Sequence, residues 1–217
     1  MRMRRKTKLD SRIERCSHLL IAKPEDLCGR WREEFDCDEL HIELGCGKGL
    51  FTVETAKNNP NIFLIGLERV SNVLVVALER TEQEGLQNVR YLNKLADDLT
   101  SYFAIGEVSR IYINFCDPWP ANRHKKRRLT GSRFLELYKQ VLCPGGKVHF
   151  KTDDLQLFEF SQNEFERCGF SVSEVSFDLH KHETVGVMTD YELKFHEQGK
   201  PIYICAAELP NNCGGLK

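Results

Sequence analysis

The stretch HIELGCGKGLF (residues 41–51) leads from an apolar strand through a glycine-rich turn into a helix. Glycine permits a tight turn and lets the backbone approach a ligand closely. In an open α/β sheet, ligands bind at the carboxyl ends of the strands, near the point where the strand order reverses. The stretch therefore predicts an α/β fold with a ligand site at the end of its first strand.

Short apolar runs alternate with amphipathic stretches from this turn to the end of the chain. The predicted strands are His41–Leu44, Ile62–Leu67, Val89–Leu92, Arg110–Phe115, Lys147–Lys151, Ser171–Leu179 and Ile202–Ala207. The predicted helices are Leu50–Lys57, Asn72–Glu84, Ala96–Phe103, Arg133–Leu142, Leu157–Arg167 and Asp190–Glu197. Apolar strands separated by helices indicate a doubly wound, mostly parallel α/β sheet, and the C-terminal pattern is compatible with an antiparallel edge strand. Residues 1–39 are interpreted as a polar, helix-prone N-terminal extension, and residues 40–217 as the single main domain.

The composition indicates the cellular compartment in which we expect the protein. No run of about 18 apolar residues is present, so we expect no membrane span. The basic N-terminus lacks the apolar stretch of a secretory signal. The nine cysteines are odd in number and include no Cys-x-x-Cys pair, which indicates a reducing, cytoplasmic environment without a disulfide framework or a zinc site. We therefore expect no metal ion, and the sequence leaves monomer and homodimer open.

Basic residues are concentrated in two short segments. Residues 1–8 and 123–128 hold 10 of the 31 Lys and Arg and no acid, which leaves 21 bases to face 32 acids elsewhere. A cationic stripe on an acidic body is typical of nucleic-acid binding. For either segment taken alone, a solvated loop or a frayed tail is an equally good interpretation.

Acidic residues around the glycine-rich turn indicate the cofactor. Glu43 precedes the turn, and Glu68 ends the second strand, where a carboxylate can accept both hydroxyls of an unphosphorylated ribose. The turn alone also occurs in dinucleotide-binding sites, but its spacing is not that of a P-loop. An acidic pocket suits a sulfonium and an ammonium group better than a pyrophosphate. The pattern therefore predicts S-adenosylmethionine rather than NAD, although Glu68 could also be a solvated strand-end residue.

A second site is predicted at NFCDPWP (residues 114–120), which a basic run follows almost directly. Asp117 comes after the fourth strand, where its carboxylate can accept hydrogen bonds from the N1-H and N2-H edge of guanine. Trp119 offers a stacking face, worth roughly 1–3 kcal/mol per base. Asp153 and Asp154 end the fifth strand and are expected to face the same crevice. The alternative for any of these carboxylates is a helix N-cap.

The chain resembles the bacterial tRNA (guanine-N7)-methyltransferases, a class I S-adenosylmethionine-dependent family, over residues 1–209. The Asp-Pro-Trp-Pro sequence with the basic run that follows it is the most specific motif. The further motifs are MRMR at the start and residues 43–49, 66–68, 150–153 and 188–192. The resemblance implies a seven-stranded Rossmann-like sheet. It also implies methyl transfer to N7 of a guanine in tRNA, at the variable-loop position 46 of the family.

Carried over by position, the resemblance assigns roles to individual residues. The expected cofactor-binding residues are Glu43, Gly45, Gly47, Glu68, Asn93, Leu95, Ala96 and Asp117, and Asp117 is also the expected catalytic residue. The expected substrate-binding residues are Ala121, Asp153, Thr189, Asp190, Tyr191 and Glu192. The expected RNA-binding residues are Arg123, His124, Lys125, Lys126, Arg127 and Arg128.

Two positions depart from the family pattern. Leu95 stands where the family often has an acid near the adenine, so we expect a backbone or apolar contact there. Ala121 stands where the family often has a lysine, and we expect Arg123 or Lys125 to compensate for it.

The chemistry implied by the resemblance needs no general base, because guanine N7 carries a lone pair and no proton. We assign Asp117 an electrostatic and orienting role, since the base gains positive charge as the methyl group arrives. Three alternatives remain. One is a methyltransferase of another chemistry, such as a cytosine-C5 enzyme, although neither Cys116 nor Cys143 has the position of its nucleophile relative to proline. Another is a non-catalytic RNA-binding protein of the same fold. The third is a Rossmann-type dehydrogenase, which the acidic pocket and the absence of a Gly-x-Gly-x-x-Gly spacing disfavour.

Overall fold

Seven strands form one mixed sheet in the computed structural model, which describes residues 8–179, 187–192 and 199–211. They are β1 (Glu39–Leu44), β2 (Ile62–Leu67), β3 (Val89–Leu92), β4 (Val108–Asn114), β5 (Leu142–Thr152), β6 (Ser171–Ser176) and β7 (Tyr203–Glu208). Their order is β3-β2-β1-β4-β5-β7-β6, with β1 to β5 parallel and β7 antiparallel to both of its neighbours. The predicted mostly parallel sheet with an antiparallel edge is confirmed.

Helices cover both faces of this sheet. They are α1 (Leu9–Arg15), α2 (Trp31–Glu34), α3 (Leu50–Asn58), α4 (Ser71–Glu84), α5 (Leu99–Tyr102), α6 (Ser132–Val141) and α7 (Leu155–Arg167). Alternate strand residues point to opposite faces, so Ile42 and Leu44 join the large core under α5, α6 and α7, whereas Tyr112 joins the smaller core under α3 and α4. The doubly wound arrangement buries the central strands on both sides.

Most element boundaries differ from the sequence-based prediction by one or two residues, and three differences are larger or change the type of element. Leu142 begins β5 instead of ending the preceding helix, because its apolar side chain fits either core position and periodicity does not locate the turn. Strand β6 ends at Ser176, after a register shift beside Glu174. The helix predicted over Asp190–Glu197 is helical at residues 190–192, and its remainder, residues 193–197, lies outside the described residues.

The N-terminal segment shares the core of the sheet domain. Trp31 is fully buried, and its indole nitrogen donates to the carbonyl of Tyr102 at 2.8 Å. Arg12 pairs with Glu79 and attaches α1 to α4. Glu39, the last residue of the predicted extension, already belongs to β1. Residues 8–39 are therefore packed as part of the same unit.

The strand order reverses between β1 and β4, which places their carboxyl ends on either side of a crevice. None of the helices in the described ranges has the length and apolarity needed to span a bilayer. Within the same ranges, no cluster of three or more His, Cys, Asp or Glu side chains is arranged to hold a metal ion.

Candidate active site

The glycine turn (Gly45–Gly49) joins β1 to α3 in a conformation that only glycine adopts easily. Gly45, Gly47 and Gly49 have φ angles of 76°, 59° and 77°. A Cβ on Gly49 would lie 2.5 Å from the Cβ of Ala77 in α4, so this position also needs the missing side chain for packing. Beside Gly45 there is open space. The turn therefore presents bare backbone to the crevice.

Glu43 lies beneath the glycine turn and is almost completely buried, with 2% of its surface exposed. Asn114 Nδ2 donates to one carboxylate oxygen at 3.0 Å, and the Thr52 hydroxyl donates to the other. Burial raises the pKa of Glu43 to about 7, although both hydrogen bonds favour its charged form. Because Asn114 ends β4, this carboxylate links the two strands that border the crevice.

Glu68 and Asn93 form the wall next to the glycine turn. The Glu68 carboxylate accepts from the amide of Val70 at 2.8 Å and from the amide of Gly47 at 3.3 Å. Asn93 donates to the carbonyl of Glu68 at 2.7 Å. The ends of β2 and β3 are thus joined to the turn.

Beyond Asn93 lies a pocket of about 640 Å³, lined by Glu25, Arg69, Val70, Asn93, Lys94, Leu95, Asp98, Ser101 and Tyr102. Leu95 is 48% exposed on its wall, whereas the predicted Ala96 packs against the core. Asp98 was missed by sequence reasoning, which examined only the position that the family motif aligns. Its carboxylate accepts from the Tyr102 hydroxyl at 3.3 Å and lines the same pocket as Leu95.

The Asp117 loop (Phe115–Pro120) follows β4 on the opposite side of the crevice. Phe115 and Trp119 have φ angles of 51° and 41°, in the left-handed region that side chains other than glycine rarely adopt. The Phe115 amide donates to the carbonyl of Lys151 at 2.9 Å. Asp117 lies between these two residues and is exposed. Backbone strain of this kind persists only where the surrounding structure enforces it.

Arg128 supplies much of this enforcement. It is only 6% exposed, and its guanidinium donates to the carbonyls of Pro118 and Trp119 at 2.9 Å and 3.2 Å. The same group lies over the ring of Phe160, 4.3 Å from its centroid. Arg128 is one of the residues predicted to bind RNA. Its buried position favours a role in holding the Asp117 loop over contact with a phosphate.

The rest of the basic cluster stays at the surface, in the short 3-10 helix Asn122–Arg127. The exposed members of the predicted RNA-binding set are Arg123, Lys125, Lys126 and Arg127, and Ala121 is exposed just before them. The guanidinium of Arg127 lies 4.8 Å from the ring centroid of Trp119, and the half-buried His124 contacts the same ring edge-on. The predicted stacking residue and the cations thus form one surface.

The residues expected to contact the target base lie at the ends of β4 and β5. The ring of Tyr191 is 5.2 Å from that of Phe115, and the pKa of Tyr191 is raised by burial and by the charge of Asp153. Tyr191 is 47% exposed. Asp154 instead caps α7 by accepting from the amide of Leu157 at 2.7 Å, so the N-cap alternative is confirmed for this residue.

Thr189 and Glu192 form a reciprocal capping box in the segment that carries Tyr191. The amide of Glu192 donates to the Thr189 hydroxyl at 2.9 Å, and the amide of Thr189 donates to the Glu192 carboxylate at 3.3 Å. Glu192 also pairs with Lys151 at 3.3 Å. These two predicted substrate-binding residues are therefore engaged in shaping the segment.

Comparison with known proteins adds sequence relatives to this geometry. A family described as "Putative methyltransferase" matches residues 38–205. A protein named "tRNA (guanine-N(7)-)-methyltransferase" from Geobacillus sp. (strain WCH70) is 48% identical over 212 residues, which are 97% of this chain and 96% of that protein.

Solved structures of methyltransferases share the fold at low identity. The 16S rRNA methyltransferase KamB superposes with a TM-score of 0.65 at 13% identity, covering 82% of this chain and 92% of that chain. A SAM-dependent methyltransferase from Aquifex aeolicus superposes with a TM-score of 0.56 at 17% identity, covering 94% and 100%.

Proposed function

The chain belongs to the tRNA (guanine-N(7)-)-methyltransferase family, and from this we propose that it transfers a methyl group from S-adenosylmethionine to N7 of a guanine in tRNA, forming 7-methylguanosine. The observation that carries the proposal is 48% identity that extends over nearly the whole of both chains. We further propose that the target is the variable-loop guanine at position 46 and that the reaction takes place in the cytoplasm.

The groups around the glycine turn fit S-adenosylmethionine, which supplies an electrophilic methyl group when bound. We propose that Gly45 and Gly47, which have no side chain, let the cofactor approach the backbone closely. We also propose that the Glu68 carboxylate accepts hydrogen bonds from the ribose hydroxyls. The large pocket beyond Asn93 suits an adenine. There, Leu95 offers apolar surface, and Asp98 offers the acceptor that position 95 lacks. Asp98 thus takes the place of the acid that the family often carries.

We propose that Asp117 stabilises the transition state electrostatically. Asp117 is exposed on the loop that follows β4, which ends at Asn114 beside the crevice. As the methyl group is transferred, the guanine gains positive charge, so a nearby carboxylate binds the transition state more tightly than the substrate. Tyr191 lies next to Phe115, and the charge of Asp153 is near enough to raise the pKa of Tyr191. We propose that both residues contact the same base.

Cys116 does not have the properties of a nucleophile. Burial and, to a smaller extent, the charge of Asp117 raise the pKa of its thiol to about 12. A thiol of this kind stays protonated near pH 7, whereas the thiolate is the reactive form. The structure therefore supports direct transfer to the base over a cytosine-C5 mechanism that passes through Cys116.

The exposed basic cluster is proposed to bind tRNA phosphates. Lys125, Lys126 and Arg127 are all exposed next to the loop that carries Asp117. Phosphate contacts of this kind fix the register of a nucleic acid without reading its sequence. The cluster would thus bring a loop of the tRNA to the crevice, where the guanine leaves its stack to reach Asp117.

The test is methyl transfer from labelled S-adenosylmethionine to unmodified tRNA transcripts, followed by nucleoside analysis of the product. We expect 7-methylguanosine, and we expect a transcript with adenine at position 46 to accept no label. A matched transcript altered at another variable-loop position should remain a substrate.

The other outcomes separate the parts of the proposal. A different methylated nucleoside would retain the fold and the cofactor but refute the assignment to guanine N7. Label in the position-46 variant would refute only the target position. Cofactor binding without transfer to any tRNA transcript would favour the non-catalytic RNA-binding protein.

A further inference from the structure

Arg80 of α4 connects the two halves of the crevice. Its guanidinium donates to both carboxylate oxygens of Asp190, at 2.9 Å and 3.1 Å. The same group donates to the carbonyl of Lys48 in the glycine turn at 3.1 Å. Asp190 belongs to the segment that carries Tyr191, and Lys48 directly follows Gly47, one of the two glycines proposed to receive the cofactor. One side chain therefore contacts both proposed binding elements.

The segment of residues 187–192 is held at its other side by β5. Lys151 donates to the carbonyl of Val187 at 3.0 Å and pairs with Glu192. The capping box of Thr189 and Glu192 makes the segment locally rigid. Asp190 and Tyr191 both lie within this capping box, so a change in the position of Asp190 also changes the position of Tyr191.

The geometry of the Arg80 contact distinguishes it from an ordinary surface pair. Exposed ion pairs are typically worth little, because both side chains must be ordered and water screens the charges. Arg80 and Asp190 are half-buried, and their contact is bidentate, which adds directional specificity. The third hydrogen bond, to the carbonyl of Lys48, extends the contact from α4 to the glycine turn. A pair that only stabilised α4 would not need this bond.

We propose that Arg80 is a positioning residue that couples cofactor binding at the glycine turn to the placement of Tyr191 and Asp190 around the target base. This inference rests on the proposed function, in which the glycine turn with Lys48 binds the cofactor and the segment with Asp190 binds the tRNA. A cofactor that orders the turn orders the Lys48 carbonyl, and with it the Arg80 guanidinium and Asp190. By reciprocity, bound tRNA must raise cofactor affinity by the same factor.

The test measures the affinity for S-adenosylmethionine with and without saturating tRNA, together with methyl transfer. In the unaltered protein, tRNA should tighten cofactor binding. Arg80→Ala should reduce this gain at least about fivefold and raise the KM for tRNA, with little change in cofactor affinity when tRNA is absent. Asp190→Asn should reproduce the loss, and the double variant should be no worse than either single one.

The control is Glu84→Gln, which breaks another ion pair of α4, with Lys57 at 2.7 Å, outside the crevice. In this variant, tRNA should increase the affinity for the cofactor as much as it does in the unaltered protein. If Arg80→Ala does not fold, judged by its melting temperature, Asp190→Asn carries the test from the opposite side of the pair. An unchanged gain in an active Asp190→Asn variant, or no gain in the active unaltered protein, would overturn the role of Arg80 alone. If the unaltered protein methylates no tRNA, the proposed function fails and this inference fails with it.

Discussion

The glycine turn and the Asp117 loop lie on either side of the same crevice, yet they hold their backbones by different means. The turn has positive φ angles at glycines, where they cost little. The loop has them at Phe115 and Trp119, where each costs on the order of 1–3 kcal/mol. Arg128, which bonds two carbonyls of the loop, offsets part of this cost.

The carboxylates of the two regions differ in burial and in hydrogen bonding. Glu43 is buried and receives two hydrogen bonds, so its orientation is fixed before any ligand arrives. Asp117 is exposed, on the loop that follows β4. The difference indicates that the carboxylate on the side proposed for the cofactor is fixed before a ligand binds, whereas the carboxylate on the side proposed for the target base lies exposed on a loop that Arg128 holds. Substitutions in the two regions should therefore fail in different ways.

The largest effect is expected for Asp117→Ala. Loss of a negative charge near the developing positive charge should lower the rate of methyl transfer roughly 10²- to 10³-fold, while the cofactor still binds. Single-turnover transfer and calorimetric cofactor binding measure the two quantities. Cys116→Ser is the matched control at the adjacent position and should retain activity, because its thiol is protonated and unreactive. Near-normal turnover in Asp117→Ala would refute the electrostatic role.

The next effect compares two neighbouring arginines by replacements that keep the charge. Arg128→Lys removes the planar fork that binds Pro118 and Trp119 and stacks on Phe160, so the Asp117 loop should lose its shape. We expect turnover to fall about tenfold or more and the melting temperature to drop. Arg127→Lys keeps a surface cation and should change neither much. Equal effects of the two substitutions would mean that Arg128 serves RNA binding after all.

Sequence reasoning identified what depends on local pattern and missed what depends on tertiary contacts. The bounds of β2 and β3 match the prediction to the residue, because apolar runs between turn residues have few other interpretations. Arg128 looks like its basic neighbours in the sequence. Only its packing on Phe160 in α7, 32 residues later, makes it an internal residue.

The same limit applies to Arg80 and Asp98. Arg80 is one charge on an amphipathic helix, and its pairing with Asp190 spans 110 residues. Asp98 follows Leu95 on a short helical turn, and only the folded pocket shows that both line the same wall. The order of the strands in the sheet is also not predictable from hydrophobic periodicity, because periodicity describes each strand and not the strands beside it.

A smaller effect concerns the pH dependence of cofactor binding through Glu43. Burial raises the pKa of this carboxyl to about 7, so near neutral pH the free protein is a mixture of the protonated and charged forms. A cationic ligand favours the charged form and lowers this pKa, so binding releases protons. Affinity should therefore rise about tenfold from pH 6 to pH 8. Calorimetry in buffers of different ionisation enthalpy measures the released protons.

Glu43→Gln separates this titration from other groups, since glutamine keeps the shape of the side chain and cannot ionise. The variant should bind the cofactor with little pH dependence in this range. A pH profile that is unchanged in Glu43→Gln would show that another group titrates.

The smallest effect is expected for a single exposed cation, Lys126→Ala. Each phosphate contact contributes about 0.9 to the slope of log affinity against log salt concentration on duplexes and less on single strands. The slope for tRNA should therefore decrease by about one or less, and the KM for tRNA should rise only a few-fold at moderate salt. The rate at saturating tRNA should not change, because Lys126 is exposed and contacts neither proposed binding element. A lower saturating rate with an unchanged slope would place Lys126 with Arg128, as support for the Asp117 loop, and would remove it from the RNA surface.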